Sequence, residues 1–275
     1  MRARIAALSC LVCWLLAFAA RAQDNPRTDY TAYTRPAGRT AIGLFKIEQG
    51  IVDALTIGTY WPLWTAYPAL GVLVPNVYVK MGTPNRAPLA LAGRAGVTYV
   101  DDSAITKLSD DQASASAIAY AAEVTASLRL GSAFTFSLGG DYNHISAVGG
   151  ATDHVAPSIE GASTADTWSA RLFTEWHLTH SFELSLLVRY LIYQSPLNAD
   201  VATESEAVSI ESDLSGEASR RRRWSLVPGV AFEGERWELQ LGVGYGVFYL
   251  PVLGLPTSKS WPIVDLGFAY RFDLY

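Results

Sequence analysis

The chain has 275 residues, of which half are hydrophobic and 17% are charged, and its formal net charge is −5. A nucleic-acid partner would require a basic face, which this acidic balance does not favour. Both cysteines, Cys10 and Cys13, lie near the N-terminus, so the rest of the chain can form neither a disulfide framework nor a thiolate metal site.

Residues 1–22 have the layout of a secretory signal peptide. They begin with two arginines, continue through an apolar, uncharged run over residues 5–18 and end in a small-x-small cleavage site. The apolar run is shorter than the roughly 20 residues that a membrane-spanning helix needs. We therefore expect cleavage near Gln23 and export, with residues 23–275 forming one domain.

Alternation with period two dominates the remainder, which is typical of half-buried β-strands. It recurs over residues 118–129, 134–143, 168–177, 182–193 and 237–249, each long enough for the roughly 9–11 residues that a tilted membrane strand requires. In residues 182–193 one face is wholly apolar or aromatic: Phe182, Leu184, Leu186, Val188, Tyr190 and Ile192. The pattern predicts an all-β antiparallel fold.

Two architectures fit such strands. A soluble secreted β-barrel that binds an apolar ligand would turn the apolar face inward, whereas a membrane barrel would turn it outward to lipid. Gly, Ala and Ser on the polar face, Trp and Tyr at strand ends, and the alternation of short and long connections favour the membrane barrel. Its expected surroundings are outer-membrane lipid and lipopolysaccharide.

The connections and strands can be counted from turn chemistry. Long connections are predicted at 101–112, 147–164, 195–219 and 251–260, and eleven strands can be drawn from residue 40 to 274. If the last strand descends to the periplasm, a chain with a periplasmic N-terminus needs one more ascending strand, for which Thr28–Thr34 is the candidate. We therefore predict an up-and-down barrel of twelve strands, with ten as the alternative.

The end of the chain supports this prediction through a resemblance. Residues 264–274 resemble the aromatic C-terminal strand by which bacterial outer-membrane β-barrel proteins are recognised by their assembly machinery, although Tyr275 is out of phase. The resemblance implies an outer-membrane location and the assembly machinery as a partner. Its apolar positions are Val264, Leu266, Phe268, Tyr270, Phe272 and Leu274.

The polar faces of the strands carry charges of both signs that would point into the barrel. Such side chains could line a narrow path for small solutes, or they could pair across the lumen and block it. The residues predicted to line the lumen are Arg94, Glu123, Arg129, Arg171, Glu175, Glu183, Arg189, Arg223, Glu238, Asp265 and Arg271.

His144 and Ser146 form the one motif that suggests catalysis. Residues two apart on a strand share a face, and the pair resembles that of outer-membrane phospholipases and lipid A deacylases, in which such a histidine activates the serine and an Asn or Glu orients the histidine. The resemblance would make His144 the base and Ser146 the nucleophile. No Asn or Asp stands in clear phase on the next predicted strand, so we expect a non-enzymatic protein, without a cofactor or metal site.

Overall fold

The structure is a computed structural model in which nine ranges of the chain are described, so the predicted signal peptide lies outside them. The described residues are 28–65, 74–83, 87–101, 112–152, 159–195, 197–203, 207–212, 223–249 and 256–273.

The described residues form fourteen strands and one helical turn. Among them, no helical segment is long and apolar enough to cross a bilayer. In chain order the elements are β1 (Arg39–Gly43), β2 (Ile47–Val52), β3 (Leu55–Thr59), α1 (Pro62–Thr65), β4 (Asn76–Gly82), β5 (Leu89–Asp101), β6 (Gln112–Leu130), β7 (Phe134–Thr152), β8 (Ile159–His177), β9 (Phe182–Gln194), β10 (Leu197–Thr203), β11 (Ala207–Ser212), β12 (Trp224–Glu233), β13 (Trp237–Tyr249) and β14 (Pro256–Asp273).

Twelve of the strands close into an antiparallel barrel. Strands β1 to β9 pair in chain order, β9 pairs with β12, and β14 returns to β1, with Arg39 opposite Asp273. The β10–β11 hairpin extends from the first part of β8, where Asn198 lies opposite Thr164. The predicted fold and the count of twelve are confirmed.

The polarity of the barrel is inverted relative to a soluble protein. On the outer face Val124 is 68% exposed and Leu241 is 45% exposed, whereas on the lumen face Thr125 and Arg171 are only 1% and 3% exposed. An apolar exterior around a polar interior is the pattern of a transmembrane barrel. The alternative of a soluble barrel with an apolar interior is therefore wrong.

Aromatic residues mark two levels on the outer face. At the end with short turns lie Trp176, Trp237 and Tyr270, and near the other end lie Trp168, Tyr245 and Trp261. Within β8 and β13 the two levels are eight residues apart, which corresponds to about 20 Å along the barrel axis at a tilt of about 40°. This is somewhat less than the roughly 25 Å of the apolar band that aromatic girdles flank in membrane barrels.

One predicted wall strand was wrong. Thr28–Thr34 is not a strand but irregular chain inside the barrel, and the count reaches twelve because residues 39–52 form two short strands, β1 and β2. The first strand drawn from the sequence, 40–47, covers β1 and the connection at residues 44–46 and ends where β2 begins. The sequence also predicts a turn over residues 49–53, and this is wrong because residues 49–52 are strand and belong to β2.

Several predicted loops are strand instead. Strand β7 continues to Thr152 and β8 begins at Ile159, β10 and β11 lie within residues 195–219, and β14 begins at Pro256. The remaining part of the first predicted loop, residues 102–111, lies outside the described residues. The error has a physical reason: Ser, Thr, Ala and Gly do not alternate in hydropathy, yet they continue a ladder wherever a neighbouring strand offers hydrogen bonds.

Candidate functional site

Residues 28–37 cross the lumen before the wall begins at β1, and we call them the lumen segment. Residues Thr31, Ala32, Tyr33 and Thr34 are fully buried, and Arg35 is 6% exposed. A backbone segment without secondary structure can be buried at this depth only if its polar groups find partners. The wall strands provide them.

Side chains from three strands, β3, β4 and β6, bond to the backbone of the segment. The Ala32 amide donates to Ser127 Oγ at 2.7 Å, and the Arg35 amide donates to Thr56 Oγ1 at 2.8 Å. Lys80 Nζ donates to the carbonyl oxygens of Thr28 and Thr31, each at 2.7 Å. The lumen segment therefore replaces water as the partner of the polar wall.

An ionic anchor lies beside these contacts. Arg35 approaches Glu48 Oε2 with Nε at 2.6 Å and with a terminal nitrogen at 2.5 Å. Glu48 Oε1 accepts from Tyr78 Oη at 2.6 Å and from Lys46 Nζ at 3.0 Å, and Lys46 also pairs with Asp29. Charge-assisted pairs of this kind are the strongest hydrogen bonds that a buried segment can make.

Two wall glycines leave room for the segment. A Cβ atom on Gly50 would overlap the carbonyl oxygen of Pro36 and lie 2.7 Å from that of Arg35. A Cβ on Gly82 would lie 2.8 Å from the carbonyl oxygen of Ala32. The wall is thus shaped to accept backbone at both places.

Two tyrosines of the segment face the interior. The Tyr30 ring lies 5.2 Å from that of Phe173, which packs with Leu187 and Val227. The Tyr33 hydroxyl donates to the Ala87 carbonyl oxygen at 3.3 Å. Burial raises the pKa of both phenols above the ordinary value of tyrosine, so both are neutral at physiological pH.

Beyond the lumen segment, the polar wall residues bond to one another. Arg171 pairs with Glu123, donates to Asp141 Oδ1 at 2.6 Å and donates to Thr125 Oγ1 at 2.6 Å. Arg171 is only 3% exposed, so its charge needs compensation within the protein. The two carboxylates provide it.

A second arginine of this region bonds to aromatic residues. The Arg94 guanidinium lies 3.8 Å from the centroid of the Tyr78 ring and donates to Tyr60 Oη at 2.6 Å. Contact with the ring face is a favourable place for a cation that is withdrawn from water.

These groups surround a cavity of about 530 Å³. It also reaches Asp29 and Tyr30 of the lumen segment, so the segment forms its floor. Of the residues predicted to line the lumen, those that line this cavity are Arg94, Glu123, Arg171, Arg189, Glu238 and Asp265.

The other predicted lumen residues lie elsewhere. Glu175 and Glu183 are buried near the short turns, where His177 Nδ1 lies 3.0 Å from Glu183 Oε1 without hydrogen-bond geometry. Arg271 pairs with Glu233 and donates to Glu238 Oε2 at 2.6 Å.

Two predicted lumen arginines lie toward the ends of their strands. Arg129 is partly buried near the end of β6. Arg223 lies at the rim, where it donates to the Ile192 carbonyl oxygen at 3.3 Å in an exposed contact.

On the outer face, His144 has the acidic partner that the sequence analysis did not find. Asp166 lies directly opposite on β8, with its Oδ1 2.9 Å from His144 Nδ1 and 2.7 Å from Tyr142 Oη, which donates to it. Ser146 lies two residues along β7 on the same face. The expectation that no Asp stands in phase is wrong, because strand register across the connection could not be read from the sequence.

No cluster of three or more potential metal ligands occurs among the described residues. On the outer face, the Asp166 carboxylate lies against Nδ1 of His144, an arrangement that orients the imidazole ring.

The chain matches no known protein-family model and no curated protein sequence. The solved structures similar to it include the following two. The translocator domain of the autotransporter NalP from Neisseria meningitidis has 9% identity and a TM-score of 0.48 over 98% of both chains. An outer membrane channel from Pseudomonas putida F1 has 9% identity and a TM-score of 0.35 over 90% of this chain and all of its own. Independently of these two structures, the closed twelve-stranded barrel with its apolar outer face agrees with the predicted resemblance to bacterial outer-membrane β-barrel proteins at the level of general architecture.

Proposed function

We propose that this protein is an exported outer-membrane channel for small solutes. In the structure, its own lumen segment closes the channel. The protein sits among outer-membrane lipid and lipopolysaccharide after insertion by the assembly machinery, with the short turns facing the periplasm. The observation that carries the proposal is the cavity of about 530 Å³ beyond Tyr30, whose lining includes charged side chains of both signs, inside a wall whose outer face is apolar.

Charge compensation suits the cavity to a channel. Arg171 is paired with two carboxylates, and Arg35 and Lys46 are paired with Glu48. A solute meets polar groups of both signs rather than a single deep charge, so it can bind and leave again. Transport on this proposal requires no chemistry and no cofactor.

A reversible lock on the lumen segment tests the proposal. The predicted mature chain has no cysteine, so a disulfide can be introduced between Ala32→Cys and Ser127→Cys, whose parent residues share the hydrogen bond of the Ala32 amide. In planar bilayers we expect the oxidised double variant to be silent and the reduced one to show ion conductance steps. The two single variants are the matched controls, because reductant should not change them.

Two results would contradict the channel. One is silence of the reduced variant together with silence of a protein from which residues 28–37 have been deleted. The other is equal conductance in the oxidised and reduced forms, since the lumen segment would then not control the path. Heat-modifiable migration on gels establishes that each variant is folded.

Asp166 favours a second candidate function, ester hydrolysis at the level of the lipid headgroups. His144 and Asp166 lie just beyond the outer aromatic residues Tyr142 and Trp168, whose rings are 4.7 Å apart. With Nδ1 held by the carboxylate, Nε2 can accept the Ser146 proton as Oγ attacks an ester carbonyl, and can return that proton to the departing alcohol. Water then releases the acid.

Lipid turnover by matched variants tests this second candidate. Purified protein in mixed micelles of phospholipid or lipopolysaccharide should release fatty acid, and Ser146→Ala should abolish the release. Asp166→Asn should reduce it strongly, whereas Ser163→Ala, on the neighbouring part of β8, should not. Inactive parent protein, or full activity in Ser146→Ala, would remove the candidate.

A further inference from the structure

The first three strands of the barrel wall are much shorter than its longest strands. Strands β1, β2 and β3 contain five, six and five residues, whereas β6 and β7 contain nineteen each. A tilted strand needs roughly 9–11 residues to cross the hydrocarbon layer. These three strands are therefore too short to cross it.

The edge of β14 shows where the wall is interrupted. Its ladder with β1 covers residues 269–273, and the Leu44 amide extends it by one bond to the Phe268 carbonyl oxygen at 2.8 Å. Strand β14 itself continues to Pro256, and among the described residues no strand continues the ladder along that edge. At membrane depth, such backbone must be covered by protein or line a water-filled cavity.

The cavity above the lumen segment passes around this edge. It is lined by every residue from 263 to 269. In this stretch Val264, Leu266 and Phe268 point outward and are 64%, 41% and 45% exposed, whereas the residues between them face the lumen. Because consecutive residues of a strand point to opposite faces, a cavity that contacts seven of them in a row runs along the open edge of the strand.

The remaining residues of the cavity lining complete a frame. Gly43 and the β1–β2 connection at residues 44–46 lie below, and Tyr60, Pro62, Leu63 and residues 76–78 lie on the opposite side. On β14 the frame lies between Trp261 and Tyr270, the outer and inner aromatic levels. We call this opening the side window, and its position places it within the apolar band.

The two sides of the side window differ in chemistry. Toward the membrane lie Leu44, Phe45 and Leu266, and toward the lumen lie the hydroxyls of Tyr60 and Tyr78. The cations in this part of the lumen form ion pairs with carboxylates, as Arg171 and Lys46 show. Such a surface suits an apolar body with a hydrogen-bonding group better than it suits an ion, which would have to displace those pairs.

We propose that the side window is a lateral passage through which small uncharged molecules, with an apolar body and one hydroxyl or carbonyl group, move between the lumen and the bilayer. The proposal rests on the proposed channel function, because it names the substrate class of that lumen. Molecules of this class partition into the hydrocarbon layer, so a side passage gives them a route that avoids the far rim.

A quenching experiment tests the opening itself. A bimane dye is attached to Gly267→Cys, which faces the lumen at the side window and whose added Cβ would meet only the Gln240 side chain, at 3.3 Å. Ser225→Cys is the lumen control, because it lines the same cavity from β12, which is paired on both sides. Leu241→Cys is the membrane-facing control. The protein is reconstituted in phosphatidylcholine carrying a nitroxide on its acyl chain.

We expect the dye at Gly267→Cys to lose at least half as much fluorescence as the dye at Leu241→Cys, while the dye at Ser225→Cys stays bright. Equal quenching at Gly267→Cys and Ser225→Cys would overturn the proposal, because lipid acyl chains would then reach the side window no better than they reach the closed part of the wall. Circular dichroism and heat-modifiable migration establish that each labelled protein is folded.

A second measurement tests the class of molecule. With the dye at Ser225→Cys, para-nitrobenzyl alcohol loaded into the bilayer should quench rapidly, whereas para-nitrobenzoate of similar size should not. Adding Gly267→Phe to fill the side window should slow quenching by the alcohol, and Leu241→Phe on the outer face should leave it unchanged. Unchanged quenching in the filled variant, or equal quenching by the benzoate, would overturn the proposal.

The two proposals fail separately. Lipid quenching at Gly267→Cys without any ion conductance in the reduced Ala32→Cys, Ser127→Cys variant would leave the side window standing and remove the ion-conducting channel. Conductance without lipid quenching would keep the channel and remove the window.

Discussion

The two halves of the lumen have polar walls of similar chemistry, but the partners that bond to the polar wall residues differ. Near the short turns, Ser127, Thr56 and Lys80 bond to the backbone of the lumen segment. In the other half, Arg171 and Arg94 bond to carboxylates and aromatic rings, and a cavity remains. A polar barrel interior can therefore be closed by a strip of backbone or kept partly open by pairs of side chains.

Gly50→Ala should produce the largest change, because the added Cβ would overlap the Pro36 carbonyl oxygen. The wall strand β2 is held by ladders on both sides, so the lumen segment is the part that must move. In planar bilayers we expect the variant to conduct persistently, whereas the parent protein and the reduced disulfide variant open only intermittently.

Gly93→Ala is the matched control for that substitution. Its added Cβ would meet only the Glu123 carbonyl oxygen, at 3.9 Å, on the outer face of β5. It should leave both conductance and thermal stability unchanged. Conductance in Gly93→Ala equal to that of Gly50→Ala would show that the effect does not come from the lumen segment.

Arg171→Met tests the other half of the lumen. Removing a cation that is only 3% exposed leaves Glu123 and Asp141 facing each other without their shared partner, and breaking such a buried pair costs about 3 kcal/mol. Urea unfolding in detergent measures this loss. The double variant that adds Glu123→Gln should recover part of it, and no recovery would show that charge compensation is not the role of Arg171.

Most of the fold could be predicted from the sequence, because an apolar exterior and a polar interior produce alternation with period two in each long strand. Residues 182–193 and 237–249 show it completely, since one face contacts lipid and the other water. Thr28–Thr34 could not be placed in this way. Threonine, tyrosine and alanine suit both a wall strand and an extended lumen segment, and the deciding contact, from Ala32 to Ser127, joins residues 95 positions apart.

The candidate sites were harder to predict for a related reason. The lumen-facing side of Arg171 or Glu123 follows from parity within one strand, but the partner of each depends on register between strands. Asp166 illustrates this, because it lies opposite His144 only through a ladder that continues to Ala151 and Ile159, in residues that the sequence analysis had interpreted as loop.

Lys80→Met should loosen the lumen segment to a smaller extent than Gly50→Ala. It removes two hydrogen bonds from a buried ammonium to the carbonyl oxygens of Thr28 and Thr31, each worth about 1.5–3 kcal/mol at most. We expect brief openings in single-channel records rather than a permanently open state. Lys80→Arg, which keeps the charge and the donors, should open less often, and equal opening in both variants would contradict this role.

The smallest expected effect is a response of the lumen segment to alkaline pH. Burial raises the pKa of Tyr30 and Tyr33 above their value in the unfolded chain, which is about 10. A group with a raised folded pKa contributes stability that is complete below the unfolded pKa and is lost as the pH rises through the folded pKa. The parent protein should therefore open more often above about pH 10, and the double variant Tyr30→Phe, Tyr33→Phe should respond less, because its rings cannot ionise. An identical pH response in the double variant would mean that other groups release the segment, and the two phenols would then contribute only packing.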